Sequence, residues 1–349
     1  MAASEFEAYM ERLIEALRAP VSDEGLRLAL DKAYGSPIFK APAFDDLRDV
    51  NRAMRAAACA LNEFQDPFNA SRLAYVIGVF IEQGADADHV SRELTTCLAS
   101  ALQHLRELQE AVGGTVDEPL AHLQEHADGV RALLGLKDLS LAVMTVLCRA
   151  KKSRIEVRTW SNFRRDLEEL SFPNAGYLRG LLGCVDDLEL TVIHVHQMRG
   201  YRVTAQAVRN NFHLFSLLQA ELIGNPLDGR LEGPTLDPAM IAYMRGETHQ
   251  RPSDSDWAVW HFGTYRSWTK GGFLADIQLT NIWGEMSPAD IPMLDGQRFV
   301  LLGPSPLRSK SWDANFIASL HDAHEPRLSS HQLTKREVQE CLDRIVAAQ

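Results

Sequence analysis

Charge and tryptophan are distributed unevenly along the 349 residues, and the change falls near residue 150. The first 150 residues hold 14 Lys and Arg against 23 Asp and Glu, which is −9 of the net charge of −11. The remaining residues hold 22 basic against 24 acidic side chains and all six tryptophans. A chain of this length exceeds the size that one hydrophobic core usually supports. The sequence therefore predicts two domains, residues 1–150 and residues 151–349.

Apolar residues recur at helical spacing throughout residues 1–150. The clearest stripe contains Leu94, Ala101, Leu105 and Leu108, which fall on one face of a helix. No repeat of fixed period is visible, so the pattern does not indicate a named solenoid. The first domain is predicted to be an all-α helical bundle.

Residues 151–349 combine strand and helix patterns. The stretch "QRFVLLGPSP" is typical of a buried strand, and the Asp295-Gly296 pair before it is typical of a hairpin turn. Thr334 and Glu337 form a capping box that begins a final helix. The expected fold class is α+β: the helical bundle is followed by a mixed α+β half. Its small sheet is mixed or antiparallel, with the antiparallel arrangement preferred, and the helices cover one face.

The segment "DLELTVIHVHQMRGYRV", residues 187–203, contains two closely spaced histidines. Interpreted as a hairpin with Arg199-Gly200 as a two-residue turn, it pairs His196 with Val203. Alternate residues of a strand share a face, so His194 and His196 extend one otherwise apolar face. Burial on that face lowers the pKa of an imidazole and favours its neutral form, which binds metal or accepts a hydrogen bond.

Two interpretations of this hairpin remain open. His194 and His196 are candidate ligands of one metal ion, with His213 in the following helix as a third. No known ligand spacing supports this set, so the preferred interpretation is structural. In that case the histidines close one end of the hairpin against the next helix, and His194→Ala costs about 1–3 kcal/mol. No cofactor is indicated.

A second group of polar and aromatic side chains lies between residues 283 and 312. If these side chains converge with the histidines, carboxylates and an arginine can perform acid–base chemistry. The alternative is that they occupy loops and turns. The candidate pocket consists of His194, His196, His213, Trp283, Glu285, Asp290, Arg308 and Trp312.

One local basic cluster lies at the expected domain junction. It either docks onto the acidic first half, contacts an acidic partner or phosphate, or forms a solvated linker that proteases cut. The acidity of the whole chain disfavours general binding to nucleic acid. The cluster consists of Lys151, Lys152, Arg154, Arg158, Arg164 and Arg165.

Motifs of known chemistry are missing from the sequence, including the nucleophile elbow, the phosphate loop and the dinucleotide fingerprint. No apolar run approaches the roughly 18 residues of a membrane helix, and five scattered cysteines indicate reduced thiols. We therefore expect a soluble cytoplasmic protein that acts as a non-catalytic interaction or adaptor module with a protein partner. The alternative is a metal-assisted hydrolase centred on the His194/His196 hairpin.

Overall fold

Contacts within the chain divide it into two compact units, unit 1 (Met1–Leu182) and unit 2 (Gly183–Gln349). This division follows the ninth helix, whereas charge and tryptophan content change near residue 150. The computed structural model describes residues 5–31, 47–234, 236–245, 247–248, 250, 259–274, 280–304 and 327–349.

Unit 1 is a helical bundle, as predicted. Its longest helix, α6, packs most extensively against α4 and α5. A Cβ at Gly78 would lie 3.0 Å from the Cα of Ala142, so glycine permits the close approach of α4 to α6. The helices of its described residues are α1 (Glu5–Arg18), α2 (Asp23–Asp31), α3 (Leu47–Leu61), α4 (Pro67–Glu82), α5 (Ser91–Val112), α6 (Ala127–Arg149), α7 (Lys151–Val157), α8 (Ser161–Glu169) and α9 (Ala175–Leu182).

Unit 2 combines a sheet with three helices in its described residues, which confirms the α+β class. The strand order is β3-β7-β1-β2-β8, β6 pairs with β7, and β4 and β5 form a separate two-stranded ribbon. The elements are β1 (Leu188–His194), β2 (Arg199–Gln206), α10 (Asn211–Leu222), α11 (Pro238–Met244), β3 (Trp260–Gly263), β4 (Trp268–Thr269), β5 (Gly272–Phe273), β6 (Met293–Leu294), β7 (Gln297–Pro304), β8 (Arg327–Gln332) and α12 (Lys335–Ala347).

The sheet is mixed, so the preferred antiparallel arrangement is wrong for its central pair. β1 and β7 run parallel, with Thr191 opposite Phe299, whereas β1–β2, β2–β8 and β3–β7 are antiparallel. A parallel pair requires a connection that returns the chain to the same end of the sheet. The long segment that contains α10 and α11 provides this connection.

Helices cover both faces of the sheet, which corrects the expectation of one covered face. Leu190 and Val192 pack with α10 and α11 on one side, and Ile193 and Phe299 pack with α12 on the other. The central strands are apolar at consecutive positions, a pattern typical of strands that are buried on both faces.

Two local predictions are confirmed. Asp295 and Gly296 both adopt positive φ, 50° and 76°, in the tight turn between β6 and β7. Thr334 and Glu337 form the capping box that begins α12. No helix of the described residues is long and apolar enough to cross a lipid bilayer.

Candidate functional site

The hairpin that carries the histidines has a different register from the predicted one. β1 ends at His194, which lies opposite Arg199, so the connection consists of residues 195–198. The expected two-residue turn is therefore wrong, and His196 does not pair with Val203. Gly200 belongs to β2.

Packing explains the true role of Gly200. A Cβ at this position would lie 2.8 Å from a methyl carbon of Val338 in α12 and 3.1 Å from one of Leu333. Glycine is needed here because α12 approaches the backbone of β2, and not because the chain turns. The sequence contained no local signal that distinguishes these two uses of glycine.

His194 is buried, with 7% of its surface exposed, at the end of β1. Its ring meets the ring of Trp260 edge to face at 5.7 Å between centroids. Its Nδ1 accepts a hydrogen bond of 3.2 Å from the backbone N–H of Gln197. Burial, and to a lesser degree the nearby His196, lowers the pKa of His194 from 6.5 to about 4. The imidazole is therefore neutral at pH 7.

His196 lies in the connection between β1 and β2 and is exposed, so it does not share a buried face with His194. The next residue, Gln197, has the structural role that the sequence did not indicate. Its side-chain nitrogen donates to the carbonyl of Glu232 at 3.0 Å, and its side-chain oxygen accepts from the Glu232 N–H at 3.1 Å. Gln197 thus joins the hairpin to the loop that follows α10.

His213 is fully buried in the first turn of α10. Its Nε2 lies 2.8 Å from the carbonyl of Met244, which identifies Nε2 as the protonated nitrogen, and its Nδ1 accepts from the N–H of Arg209 at 3.4 Å. Asn210 caps the helix by accepting from the His213 N–H at 3.0 Å. His213 therefore links the start of α10 to the end of α11.

The structure does not assemble the three histidines into one site. β1 ends at His194, whereas α10 follows the end of β2 and therefore carries His213 near the opposite end of the sheet. Within the described part of the chain, no group of three or more His, Cys, Asp or Glu side chains is placed to hold a metal ion. The candidate pocket also contains Trp283, Glu285 and Asp290, which lie in a turn and loop described next. Its last two members, Arg308 and Trp312, lie outside the described residues.

A turn formed by residues 283–286, called the Trp283 turn below, is fixed to the N-terminus of α10. The N–H groups of Asn211 and Phe212 donate to the carbonyls of Met286 and Gly284 at 3.0 and 2.9 Å. The Asn211 side chain donates to the Trp283 carbonyl at 2.8 Å. These bonds satisfy helix N–H groups that would otherwise lack partners.

Gly284 is required at the centre of this turn. A Cβ at this position would overlap the ring of Phe212, so any other residue would displace the ring or the turn. Ile282 and Ile291 are buried on either side and attach the segment to the core of unit 2. The Trp283 turn is therefore a rigid part of the fold.

Large apolar side chains of this segment face solvent. Trp283 is 46% exposed, Met286 47% and Met293 52%, and Glu285 and Asp290 between them are exposed as well. No family model, curated protein or solved structure matches this chain. Any functional inference therefore rests on its own residues.

The basic cluster is folded into unit 1. Arg154 is buried and donates to the carbonyls of Leu147 and Cys148 at the end of α6. Arg158 donates to the Leu182 carbonyl at 2.8 Å. These arginines complete backbone hydrogen bonding within the bundle.

The remaining basic side chains of the cluster differ in their surroundings. Arg165 lies 3.2 Å from the carboxylate of Asp166, which also binds Arg106 of α5. Lys152 and Arg164 are exposed, and Lys151 is half-buried. The positive charge of α7 and α8 is thus used largely inside unit 1, in part against acidic side chains.

Proposed function

We propose that unit 2 is a protein-docking module and that the Trp283 turn is the centre of its contact surface. The proposal rests on one observation: a turn held by three hydrogen bonds to α10 exposes Trp283 and Met286 to solvent. Tryptophan is enriched among the few residues that contribute most of the binding energy of protein interfaces.

Rigidity supports this function because binding then costs little ordering. An interface segment on a mobile loop loses backbone freedom on association, at about 1–2 kcal/mol per residue that becomes ordered. The backbone of Trp283 and Gly284 is already fixed by α10, and the Phe212 ring leaves room only for glycine at position 284. The surface is therefore ready for a partner before the partner arrives.

Charge around the turn indicates the chemistry of the partner. Glu285, Asp290 and Asp295 are exposed along the same segment, and the chain as a whole carries a net charge of −11. We expect a partner surface with an apolar cleft for Trp283 and with Lys or Arg at its rim. Complementary charge of this kind accelerates association, and added salt slows it.

Docking is favoured over metal-assisted hydrolysis by the surroundings of the histidines. His194 and His213 use ring nitrogens in hydrogen bonds within unit 2, and His196 lies in an exposed turn. A metal ligand needs a free ring nitrogen that converges with others. We therefore place the function on the surface around Trp283.

The test uses a photo-crosslinking amino acid at position 285, which is exposed beside Trp283, or, as a control, at position 177. Tyr177 is a comparably exposed aromatic residue in α9 of unit 1. A partner that crosslinks from position 285 but not from position 177 is then purified and titrated with the full chain. We expect Trp283→Ala to weaken its affinity by at least about 30-fold, equivalent to about 2 kcal/mol.

The matched variant Tyr177→Ala should leave the affinity unchanged, and Met293→Ala should weaken it less than Trp283→Ala does. If crosslinking from both positions gives the same products, or if Trp283→Ala binds the purified partner as well as the wild type does, the proposed docking surface is wrong.

A further inference from the structure

β3 and β8 are the two outer strands of the sheet in unit 2, and they differ in whether their outer edge is hydrogen-bonded. Beyond β3, residues 280–282 continue the hydrogen bonding, because the Ile282 N–H donates to Phe262 at 2.9 Å and the Thr264 N–H to Thr280 at 2.8 Å. Beyond β8, none of the described residues pairs with the strand. An unpaired edge strand is a template for another strand.

The backbone groups on this edge can be identified. Leu333 directly follows β8, and its N–H donates to the Gly200 carbonyl of β2 at 2.8 Å. N–H and C=O groups of successive strand residues point to alternate edges, so those of Leu328, Ser330 and Gln332 point away from β2. β8 contains no proline or lysine that would block pairing at this edge.

A loop of residues 225–232 stands beside the C-terminal end of β8 and is held firmly. Arg199 of β2 donates to the carbonyl of Arg230 at 2.6 Å and to that of Pro226 at 3.0 Å. The hydroxyl of Tyr201 donates to the carbonyl of Gly229 at 2.7 Å. A Cβ at Gly229 would lie 2.2 Å from the side-chain oxygen of Gln332, which places this loop against β8.

Leu227 projects from this loop and is 93% exposed, the most exposed large apolar side chain among the described residues. When another apolar surface covers a solvent-exposed leucine on such a fixed loop, the free energy of the system falls. The Tyr201 side chain belongs to the apolar cluster on the face of the sheet that α10 covers, and its bond to Gly229 places the loop on that face. Leu328 packs against the apolar cluster on that same face.

We propose that β8 pairs antiparallel with β8 of a second copy of this chain. The two-fold axis passes between the two Ser330 residues. Only even-numbered residues point outward from this edge, so the residues that exchange hydrogen bonds across the axis are Ser330 with Ser330 and Leu328 with Gln332. The product is a homodimer with one continuous sheet. The proposal does not depend on the Trp283 turn.

The register is self-complementary, which favours a second copy as the occupant. Ser329 faces His331, and no pair of like charges is opposed. Because Leu328 of one copy lies opposite Gln332 of the other, it lies next to the loop that carries Leu227 of that other copy. Each dimer thus covers two Leu227 side chains with two Leu328 side chains, an isologous contact.

Net charge opposes this pairing and predicts its response to salt. Each copy carries −11, so the copies repel at low ionic strength. Salt screens that repulsion, whereas backbone hydrogen bonds and leucine contacts are less affected. Dimerisation should therefore strengthen as salt is raised from about 0.05 to about 0.5 M.

The experiment is sedimentation of the full chain over a range of concentrations, with two matched pairs of variants. Ser330→Pro removes an outward N–H and tests the backbone pairing, and Ser330→Ala is its control because it loses only the side-chain bond to Glu221. Leu227→Ala tests the apolar contact, and Leu274→Ala replaces another exposed leucine.

We expect a reversible wild-type dimer whose dissociation constant rises at least about tenfold in Ser330→Pro and about three- to tenfold in Leu227→Ala. Both controls should retain the wild-type value. Leu227→Ala also decides the question if Ser330→Pro does not fold.

Three results would overturn the proposal. The wild type could remain monomeric at every concentration, or its dimer could be unaffected by Leu227→Ala and Ser330→Pro. Finally, the amides of Leu328 and Ser330 could be protected from hydrogen exchange at the lowest concentration, which would mean that the same chain covers this edge.

Discussion

At the scale of single residues, His194 illustrates how burial sets the properties of an imidazole. The apolar pattern of β1 predicted a desolvated, neutral histidine, and this is confirmed for His194. The same prediction is wrong for His196, because β1 ends two residues before it. Period alone does not mark where a strand ends, since that point depends on the pairing of β1 with β2 and with the distant β7, and both ladders end at His194.

The pKa of His194 predicts a specific loss of stability in acid. Its pKa is 6.5 in the unfolded chain and about 4 in the folded one, so between these values the unfolded chain binds a proton that the folded chain does not. The stabilisation is therefore complete above about pH 6.5 and decreases as the pH falls to about 4. The full shift corresponds to about 3 kcal/mol, and partial hydration reduces it to about 1–2 kcal/mol.

Urea unfolding at about pH 7 and about pH 4.5 measures this loss. The wild type should lose about 1–2 kcal/mol more than His194→Gln does, and His331→Gln, a variant of an exposed histidine in β8, should behave as the wild type. An equal loss in wild type and His194→Gln would show that His194 does not titrate as described.

At the scale of elements, the basic cluster shows that charged side chains of a run can bind backbone carbonyls inside the fold. The sequence indicated amphipathic helices and a junction, and it left open whether the arginines were solvated, docked or free for a partner. The direction of the Arg154 side chain depends on the sharp change of path between α6 and α7 at Ala150, where ψ is 81°. That change was not visible in composition or spacing.

Arg154→Ala should destabilise unit 1 by about 2–4 kcal/mol, because two carbonyls at the end of α6 lose a charged donor inside the protein. Lys152→Ala on the same helix should change the free energy of unfolding by less than about 0.5 kcal/mol, since Lys152 is exposed. Thermal or urea unfolding of the two variants gives the comparison. Equal stability of both would mean that Arg154 does not satisfy these carbonyls.

At the scale of the whole molecule, the helical first part and the α+β second part were predictable, because they follow from periodicity and capping. The composition change near residue 150 precedes the division in contacts, which follows Leu182. α8 and α9 cause this difference, since Arg106 of α5 binds Asp166 and Ser140 of α6 bonds with Asn174. Side-chain partners of this kind are not encoded in average composition.

Fragments of the chain test this division. A fragment of residues 1–182 should unfold cooperatively, whereas a fragment of residues 1–150 should be less stable or aggregate, because it leaves the surfaces of α5 and α6 that α8 and α9 cover exposed to water. Circular dichroism melting and sedimentation compare the two. Equal cooperativity of the shorter fragment would place the boundary near residue 150.

The parallel pairing of β1 with β7 has a consequence for folding during synthesis on the ribosome. The hairpin of β1 and β2 is local and can form early, but its inner edge lacks its neighbour until β7 has been made. At about 5–20 residues per second, the roughly 100 residues between Thr191 and Phe299 take about 5–20 s to synthesise. During that interval the nascent chain exposes a strand edge that contains Leu190, Val192 and Ile193. Chaperones that shield nascent chains would find their target there, while unit 1 is already complete.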